Sequence, residues 1–447
     1  MTRIRWLLIG GMFGISAISY LDRVNLSIAG RLIEAQYGLT DIQLGWVFTS
    51  FVLSYAFFQA PAGRLADRFG PRRVILVSTL WWGVFTALTG LIPSGFPHAV
   101  LVLMTVRFGL GVGESVVYPA SNRLVAEWIP SKERGLANGL IFAGVGAGAG
   151  LSPPLISYII ARDGWRASFV VCAVIGVVAG AIWYIICRDT PRKHPWVNAA
   201  EATFIESDLP RKIQGEEKYR WADILANRTI AALTLSYFTF GYAAYIFFSW
   251  FFIYLNKVRS LDLKTSALYG MLPFIAMAIC SPLGGWISDR LSKRFGKRIG
   301  RCGVAGVGIA GAAVFIALGP RVGEARLASI VLAGGAGMLY LSQSAFWSMT
   351  SEIAGSAAGA ASGVMNMGNQ IGGAITASLS PYIAAHFGWT NSFAVSAALC
   401  ALGAITWFFV DPESRLIRRA GIRPSEKDLG AAAQSISPHP NLASGGQ

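Results

Sequence analysis

The chain has 447 residues, 54% of them hydrophobic and 14% charged, with a mean hydropathy of +0.51. Soluble globular proteins carry about 25% charged residues, so this composition excludes an assembly of soluble domains. The formal charge of +15, from 38 basic and 23 acidic residues, lies between long apolar runs. It therefore reads as the basic bias of membrane loops and not as a nucleic-acid surface.

Residues 1–17 place basic residues before an apolar run, as a secretion signal does, but the many runs behind them favour a retained first helix. About 20 residues at 1.5 Å each cross the hydrocarbon layer. Twelve such runs follow in order, at 6–30, 43–63, 74–94, 98–121, 137–160, 167–187, 228–255, 266–288, 302–319, 326–350, 357–384 and 391–410. An even count returns both termini to one side. With that side taken as the cytoplasm, the inner segments hold 27 of the 38 basic residues. Two lie at the N-terminus, four in 64–73, two in 132–134, eight in 188–228, six in 290–301 and five in 415–427. The outer loops hold seven, Arg162, Arg166, Lys257, Arg259, Lys264, Arg321 and Arg326, and the helices hold Arg23, Arg31, Arg107 and Arg123. This split predicts a multi-pass protein of the cytoplasmic (inner) membrane with both termini inside.

The two halves repeat. Gly63-Arg-Leu-Ala-Asp67-Arg68-Phe-Gly-Pro-Arg72-Arg73 follows the second run, and Gly285-Trp-Ile-Ser-Asp289-Arg290, continuing to Lys297 and Arg298, follows the eighth. Asp67 and Asp289 are 222 residues apart, as are Asp189 and Asp411; Gly164-Trp165 with Phe169 recurs as Gly388-Trp389 with Phe393 at an offset of 224. Three landmarks in one order indicate a duplicated six-helix unit. The expected architecture is all-α: twelve transmembrane helices in two pseudo-symmetric six-helix bundles, at 1–187 and 228–411. A polar cytoplasmic loop, 188–227, joins them, and its Asn198-Ala-Ala-Glu201 resembles a capping box opening a short surface helix. The tail, 412–447, rich in Ala, Ser, Gly and Pro, is expected to be cytoplasmic and disordered. The five cysteines, Cys172, Cys187, Cys280, Cys302 and Cys400, are odd in number and scattered through apolar runs, which points to packing and to no disulfide framework or metal site.

The 63–73 string and its partial copy resemble the loop motif of the major facilitator superfamily, and the likeness extends over nearly the whole chain. It implies a rocker-switch transporter with one central site between the halves. A narrower resemblance rests on Tyr20-Leu-Asp22-Arg23-Val-Asn25, on Arg107-Phe-Gly-Leu-Gly-Val-Gly-Glu114 running on to Tyr118-Pro119 and Asn122-Arg123, and on Asp189-Thr-Pro191, His194-Pro195 and Glu201. Together these are similar to the anion:cation symporter family, which includes bacterial importers of galactonate, glucarate and hexuronate. That resemblance implies import of a carboxylate with protons.

Ionisable groups inside a span cost about 2.5–3.5 kcal/mol each, which makes them functional candidates. Asp22 and Arg23 lie past the midplane of the first run, and Arg107 lies roughly 14 Å in from His98 along the fourth. Arg107 and Glu114 are two turns apart on one face. Structural ion pairs locking the first bundle are the simpler reading. The sharper one makes Asp22 and Glu114 proton carriers, with protonation of Glu114 releasing Arg23 or Arg107 to grip the substrate carboxylate, for which the guanidinium fork is shaped. Tyr20, Tyr55 and Gln59 in the first half, and Tyr237, Tyr242, Ser344, Trp347, Asn366 and Asn369 in the second, are the polar or aromatic candidates for binding a polyhydroxy acid. For each tyrosine or tryptophan, packing is an equal alternative. Span five offers no hydrogen-bonding side chain around Val145, where sugar-acid members can place a glutamine, which keeps a less hydroxylated or aromatic carboxylate open. Asp67, Arg68, Asp289 and Arg290 are expected to form a gating latch, with plain positive-inside anchoring as the alternative.

The resulting expectation is a proton-coupled importer of an organic anion, a sugar acid (aldonate, aldarate or uronate) before an aromatic or short dicarboxylate of phthalate or tartrate type. Protons are its coupling ion, with no cofactor and no metal. Its partners are the carboxylate and the lipid bilayer, with no nucleic acid, and it acts as a monomer. An intramembrane enzyme lacks a nucleophile motif, metal cluster or phosphate loop, and a channel lacks a filter-like loop. A proton antiporter for efflux would be expected to have an acid-dominated cavity, and a transport-dead sensor would not need a titratable Glu114.

Overall fold

A computed structural model describes residues 2–207, 221–251, 254–261 and 263–416. Ten stretches of these are long and apolar enough to cross a membrane, and one, Ala325–Ala377, holds two helices. The helix Asp41–Phe69 brings the crossings to twelve. In chain order, spans 1 to 6 are Ile4–Tyr37, Asp41–Phe69, Pro71–Leu91, the pair Ala99–Glu114 and Val117–Trp128, Arg134–Asp163, and Trp165–Ile186. Spans 7 to 12 are Arg228–Ser249, the pair Leu263–Gly270 and Leu272–Phe295, then Val304–Leu318 with the π-turn Arg298–Gly303 before it, Ala325–Ala354, Ala358–Phe387, and Trp389–Thr406.

Most helices overrun the apolar runs read from sequence. Span 2 continues through Arg64, Asp67 and Arg68, because a helix does not stop where the hydrocarbon does. The spans end instead at backbone signals. Gly70, Gly164, Gly296 and Gly388, with φ of 81–85°, each end one span and open the next, a left-handed conformation that costs glycine nothing.

Packing follows the repeat. Span 1 lies on span 5, span 2 on span 4 and span 3 on span 6; in the second half 7 lies on 11, 8 on 10 and 9 on 12. The halves meet where span 2 faces span 11 and span 5 faces span 8. They touch most closely at the end that carries Ile4 and Thr406, the terminal end. There a Cβ on Gly63 would strike the Gly359 carbonyl, and one on Gly285 would strike Gly135. Toward the far end the halves diverge, and an apolar groove opens between Leu53, Ala56 and Phe57 of span 2 and Ile371, Ala374 and Ile375 of span 11.

The described first part of the joining loop, residues 188–207, is docked against the chain start, and residues 208–220 lie outside the described residues. Asn198 caps the helix Ala199–Glu206 by accepting from Glu201 N at 2.9 Å. The carboxylate of Glu201 completes no box. It is buried against the chain start, accepting from Thr2 Oγ1 at 2.6 Å, from Ile4 N at 3.1 Å and from Arg5 Nη1 at 3.0 Å. Thr40 and Gln43 form the true capping box, at the start of span 2. Residues 417–447, most of the expected tail, lie outside the described residues.

Candidate functional site

Between the halves lies a small central cavity. Tyr20, Tyr118, Phe142 and Val145 line it from the first half, and Tyr237, Phe240, Tyr245, Phe248, Tyr340, Gln343, Asn366, Asn369 and Gln370 from the second. Tyr20 meets Phe248 across the halves on its far side, ring centroids 5.7 Å apart. Toward the terminal end Trp347 closes it by packing on Tyr118 and Phe142 at 5.9 and 5.0 Å. Below that floor Asn122 donates to Thr350 Oγ1 at 3.2 Å and Asn138 to Ser348 Oγ at 3.3 Å, again across the halves.

Beside the cavity, in the first half, sits a buried charge cluster. Gly109, Gly111 and Gly113 let Phe85, Phe51 and Trp81 press against span 4 where a Cβ would collide with them. This close packing seats Arg107 and Glu114 next to span 1. Glu114 accepts from Ser19 Oγ and from Arg23 Nε, the latter at 3.3 Å. The Arg23 guanidinium lies over the rings of Tyr55, Tyr20 and Phe51 at 4.3, 4.7 and 5.2 Å, and Arg107 also lies 5.2 Å from Phe51. Aromatic faces hold a guanidinium without consuming its N–H donors. Asp22 accepts from Thr86 Oγ1 at 3.3 Å.

This cluster is half-engaged. Arg23 Nη2, Arg107 Nε and Nη1, Glu114 Oε2, Asp22 Oδ1 and the Tyr55 hydroxyl are all buried without a protein partner. Buried polar atoms are almost always hydrogen-bonded, so such a concentration calls for an occupant or a proton. The four charged groups sum to zero as two arginines and two carboxylates. The cavity lining itself contains no Lys, Arg, His, Asp or Glu from either half among the described residues.

The structure gathers most of the candidate residues. Tyr20, Tyr237, Asn366 and Asn369 line the cavity. Gln59 reaches it through its Oε1, which accepts from Asn366 Nδ2 at 2.8 Å and so joins the halves. Trp347 Nε1 donates to the Tyr237 hydroxyl at 2.9 Å. Tyr242 and Ser344 are buried in the packing of the second half and are not in the lining. Tyr242 stands about 140° around span 7 from Tyr237, whereas Tyr245, eight residues on, stands only about 80° away and does line the cavity. Tyr245 donates to Gln370 Oε1 at 2.6 Å. Spacing could have found Tyr340, Gln343 and Gln370 as well, since Tyr340, Gln343 and Trp347 share one face and Gln370 is four residues past Asn366.

At the terminal end Asp67 and Asp289 sit at the mouths of helices from the opposite half. Asp67 accepts from Gly359 N and Ala360 N at 2.9 and 2.8 Å, at the start of span 11. Asp289 accepts from Gly135 N and Leu136 N at 2.9 and 2.7 Å, at the start of span 5. Each carboxylate thus meets the positive end of a helix dipole and two of its unbonded N–H groups. Arg68 and Arg290 take no part. Both are exposed, lying over Phe69 and Trp286. The basic partners are Arg123, 3.9 Å from Asp67, and Arg301, 2.6 Å from Asp289. Arg123 also donates to Gly355 O at 3.2 Å and Arg301 to Ser131 O at 2.7 Å, each crossing to the other half.

Two six-span bundles packed around a central cavity are the architecture of membrane transporters of the alternating-access kind. A profile of the Major Facilitator Superfamily matches residues 12–377 and 295–442. The chain belongs to the Major Facilitator Superfamily and is a multi-pass membrane transporter, not an enzyme. It is 35% identical over 413 residues to a probable sulfoacetate transporter of Cupriavidus necator, covering 91% of this chain and 94% of that one. It is 32% identical to a probable galactarate/D-glucarate transporter of Bacillus subtilis over 66% of each chain, and 29% identical to a probable L-galactonate transporter of Escherichia coli over 63% and 61%. Among solved structures, the proton:xylose symporter bound to 6-bromo-6-deoxy-D-glucose shares 17% identity with a TM-score of 0.73, covering 91% of this chain and 96% of that one. That likeness concerns the fold alone.

Proposed function

We propose that this protein imports an organic anion, foremost a sugar acid, together with protons across the cytoplasmic (inner) membrane. The terminal end faces the cytoplasm, in line with the basic loops, and the structure corresponds to a state closed on that side. The observation that carries the reading is Glu114, shared between Ser19 and Arg23 beside the cavity while Glu114 Oε2 and Arg23 Nη2 have no partner. A proton on Glu114 weakens its hold on Arg23, and the freed guanidinium binds the acid group of the substrate. Asp22 and Arg107, whose buried polar atoms also include ones without a partner, supply the second carboxylate and the second arginine. Proton and anion then favour each other's binding, the linkage that symport requires. Tyr20, Tyr55, Gln59, Tyr237, Trp347, Asn366 and Asn369 contact or position the substrate.

Asp67 with Arg123, and Asp289 with Arg301, hold the cytoplasmic side shut and are remade in each cycle. Protons are the coupling ion, no cofactor or metal takes part, and the transporter works as a monomer in the bilayer without nucleic acid. Relatives named as transporters of galactarate, D-glucarate and L-galactonate support a sugar acid. A second reading, a short sulfonated acid, is favoured by the relative named as a probable sulfoacetate transporter. An aromatic or short dicarboxylate is the remaining alternative.

The test is Glu114→Gln in proteoliposomes. An inward proton gradient contributes about 1.4 kcal/mol per pH unit and per proton to accumulation. The variant should lose gradient-driven accumulation yet still exchange external for internal substrate. Accumulation at the wild-type level would remove Glu114 from the coupling.

A further inference from the structure

We infer that Arg5 is a positioning residue of the latch at the terminal end, and that through it the joining-loop helix Ala199–Glu206 favours the closed state of that end. This deepens the reading of Asp289 and Arg301 as a latch and rests on it, but not on the identity of the substrate. What that latch grips is the short turn Ser131–Glu133 and the start of span 5 that follows it. Arg301 donates to Ser131 O at 2.7 Å, and Asp289 accepts from Gly135 N and Leu136 N at 2.9 and 2.7 Å. The same turn is held from its own half by Arg5. The Arg5 guanidinium forks onto Glu133, with Nε to Oε2 at 2.8 Å and Nη2 to Oε1 at 3.3 Å.

Arg5 is itself placed by the joining loop. It is buried, its Nη1 donates to Glu201 Oε1 at 3.0 Å, and its guanidinium lies 5.0 Å from the centre of the Phe204 ring. Glu201 and Phe204 both belong to the joining-loop helix. Glu201 also accepts from Ile4 N at 3.1 Å, so it satisfies the start of span 1 beside Arg5. The run Glu201, Arg5, Glu133 thus connects the loop helix to the turn that the second half grips. The repeat supplies an internal control. The turn Gly355–Ala357 precedes span 11 as Ser131–Glu133 precedes span 5, at an offset of 224, and Gly355 O accepts from Arg123. Ala357 stands there in the place of Glu133 and has no side-chain acceptor for an arginine to hold. Both turns receive an arginine from the other half, yet the fork onto the joining loop exists at the first. A turn fixed in advance leaves the latch less chain to order when it closes, which favours the closed state.

The experiment measures distances between spin labels across the halves at the terminal end, on the full chain in lipid nanodiscs without substrate. Arg5→Met keeps an unbranched side chain and removes the fork, and it should raise the open-to-closed ratio by about three- to tenfold. Glu133→Gln, at the half-buried end of the run, should shift the ratio the same way by about two- to threefold. In an Asp289→Asn background each variant should add less than it does alone, because both changes act on one turn. A lower melting temperature with an unchanged ratio for both variants would overturn the inference and leave Arg5 as an anchor of the fold alone. Full additivity with Asp289→Asn would overturn it as well. Opening by Asp289→Asn, without opening by either variant, keeps the latch and removes the joining loop from it. If Asp289→Asn itself opens nothing, the latch reading falls and this inference falls with it. Should Arg5→Met not fold, Glu133→Gln and its combination with Asp289→Asn decide the question.

Discussion

Spans 4 and 10 occupy equivalent places in the two halves, each packed on its partner span, 2 or 8. Span 4 brings Arg107 and Glu114 to the centre of the molecule, while span 10 brings Tyr340, Gln343 and Trp347. Spans 1 and 7 differ in the same way, Asp22 and Arg23 against Tyr237 and Tyr245. The repeat dictates backbone packing and leaves the chemistry free to diverge. Keeping both arginines and both carboxylates in one half has a physical advantage. An ion pair split between the halves would be torn apart in every rocking motion, at the cost of an uncompensated buried charge. Within one half the two arginines and two carboxylates stay together however the halves move.

That division is broken most severely from the charged side. Arg23→Ala should reduce anion affinity by 100-fold or more, about 3 kcal/mol, because it removes a charge-assisted partner and leaves Glu114 buried. Arg23→Lys should recover little, since an ammonium neither forks around a carboxylate nor stacks on Tyr55 and Phe51 in the same way. From the neutral side, Tyr237→Phe should cost less than about tenfold, the range of one neutral hydrogen bond. Titration of the three variants against one ligand measures the contrast. Equal losses for Arg23→Ala and Tyr237→Phe would show that the walls do not divide the work.

The latches offer a second contrast between the halves. Asp67 and Asp289 each hold two backbone N–H groups of a facing helix, but only Asp289 has a close arginine. Arg301 is itself anchored by Glu352 at 2.9 Å, whereas Arg123 is turned toward Glu127 at 2.5 Å. Asp289→Asn should therefore open the terminal end more than Asp67→Asn. The expected difference is about 1.4 kcal/mol, a tenfold larger shift in the open-to-closed ratio. Distances between spin labels across the halves at that end would report both populations. Gly285→Ala should act in the same direction, since its methyl group must push Gly135 away, at a cost of about 1–3 kcal/mol. A larger opening from Asp67→Asn would reverse the assignment.

The arginine partners also show where sequence reading stops. Asp67-Arg68 and Asp289-Arg290 look like ion pairs on paper, yet adjacent residues on a helix diverge by about 100°, and both arginines turn outward. The working partners come from span 4 and from the π-turn before span 9, distant in the chain. The charge cluster was legible because an ionisable residue inside a span is costly enough to require a reason. The repeat, the crossings and the Gly-Trp junctions were legible because each leaves a local trace in hydropathy or backbone freedom. The neutral wall was only partly so. Tyrosines occur on several faces of span 7, and only the angle between Tyr237, Tyr242 and Tyr245 separates lining from packing.

The smallest expected effect concerns the chain start, which the second half does not share. Glu201 is buried, and burial alone would raise its pKa. Hydrogen bonds from Thr2, Ile4 N, Arg5 N and the Arg5 guanidinium outweigh this and hold the carboxyl below its usual 4.5. A carboxylate depressed in the folded state stabilises it above the unfolded pKa and loses that contribution as pH falls through the folded value. Glu201→Gln keeps the shape and one acceptor but gives up the charge facing Arg5. Arg5 retains Glu133 at 2.8 Å, so the loss should be limited to about 1–2 kcal/mol at pH 7. The difference in melting temperature between wild type and variant should shrink as pH drops below about 4.5. A constant gap across that window would mean that the Glu201 charge does not anchor the joining loop, and that the fit of the Ala199–Glu206 helix against span 1 does so by shape alone.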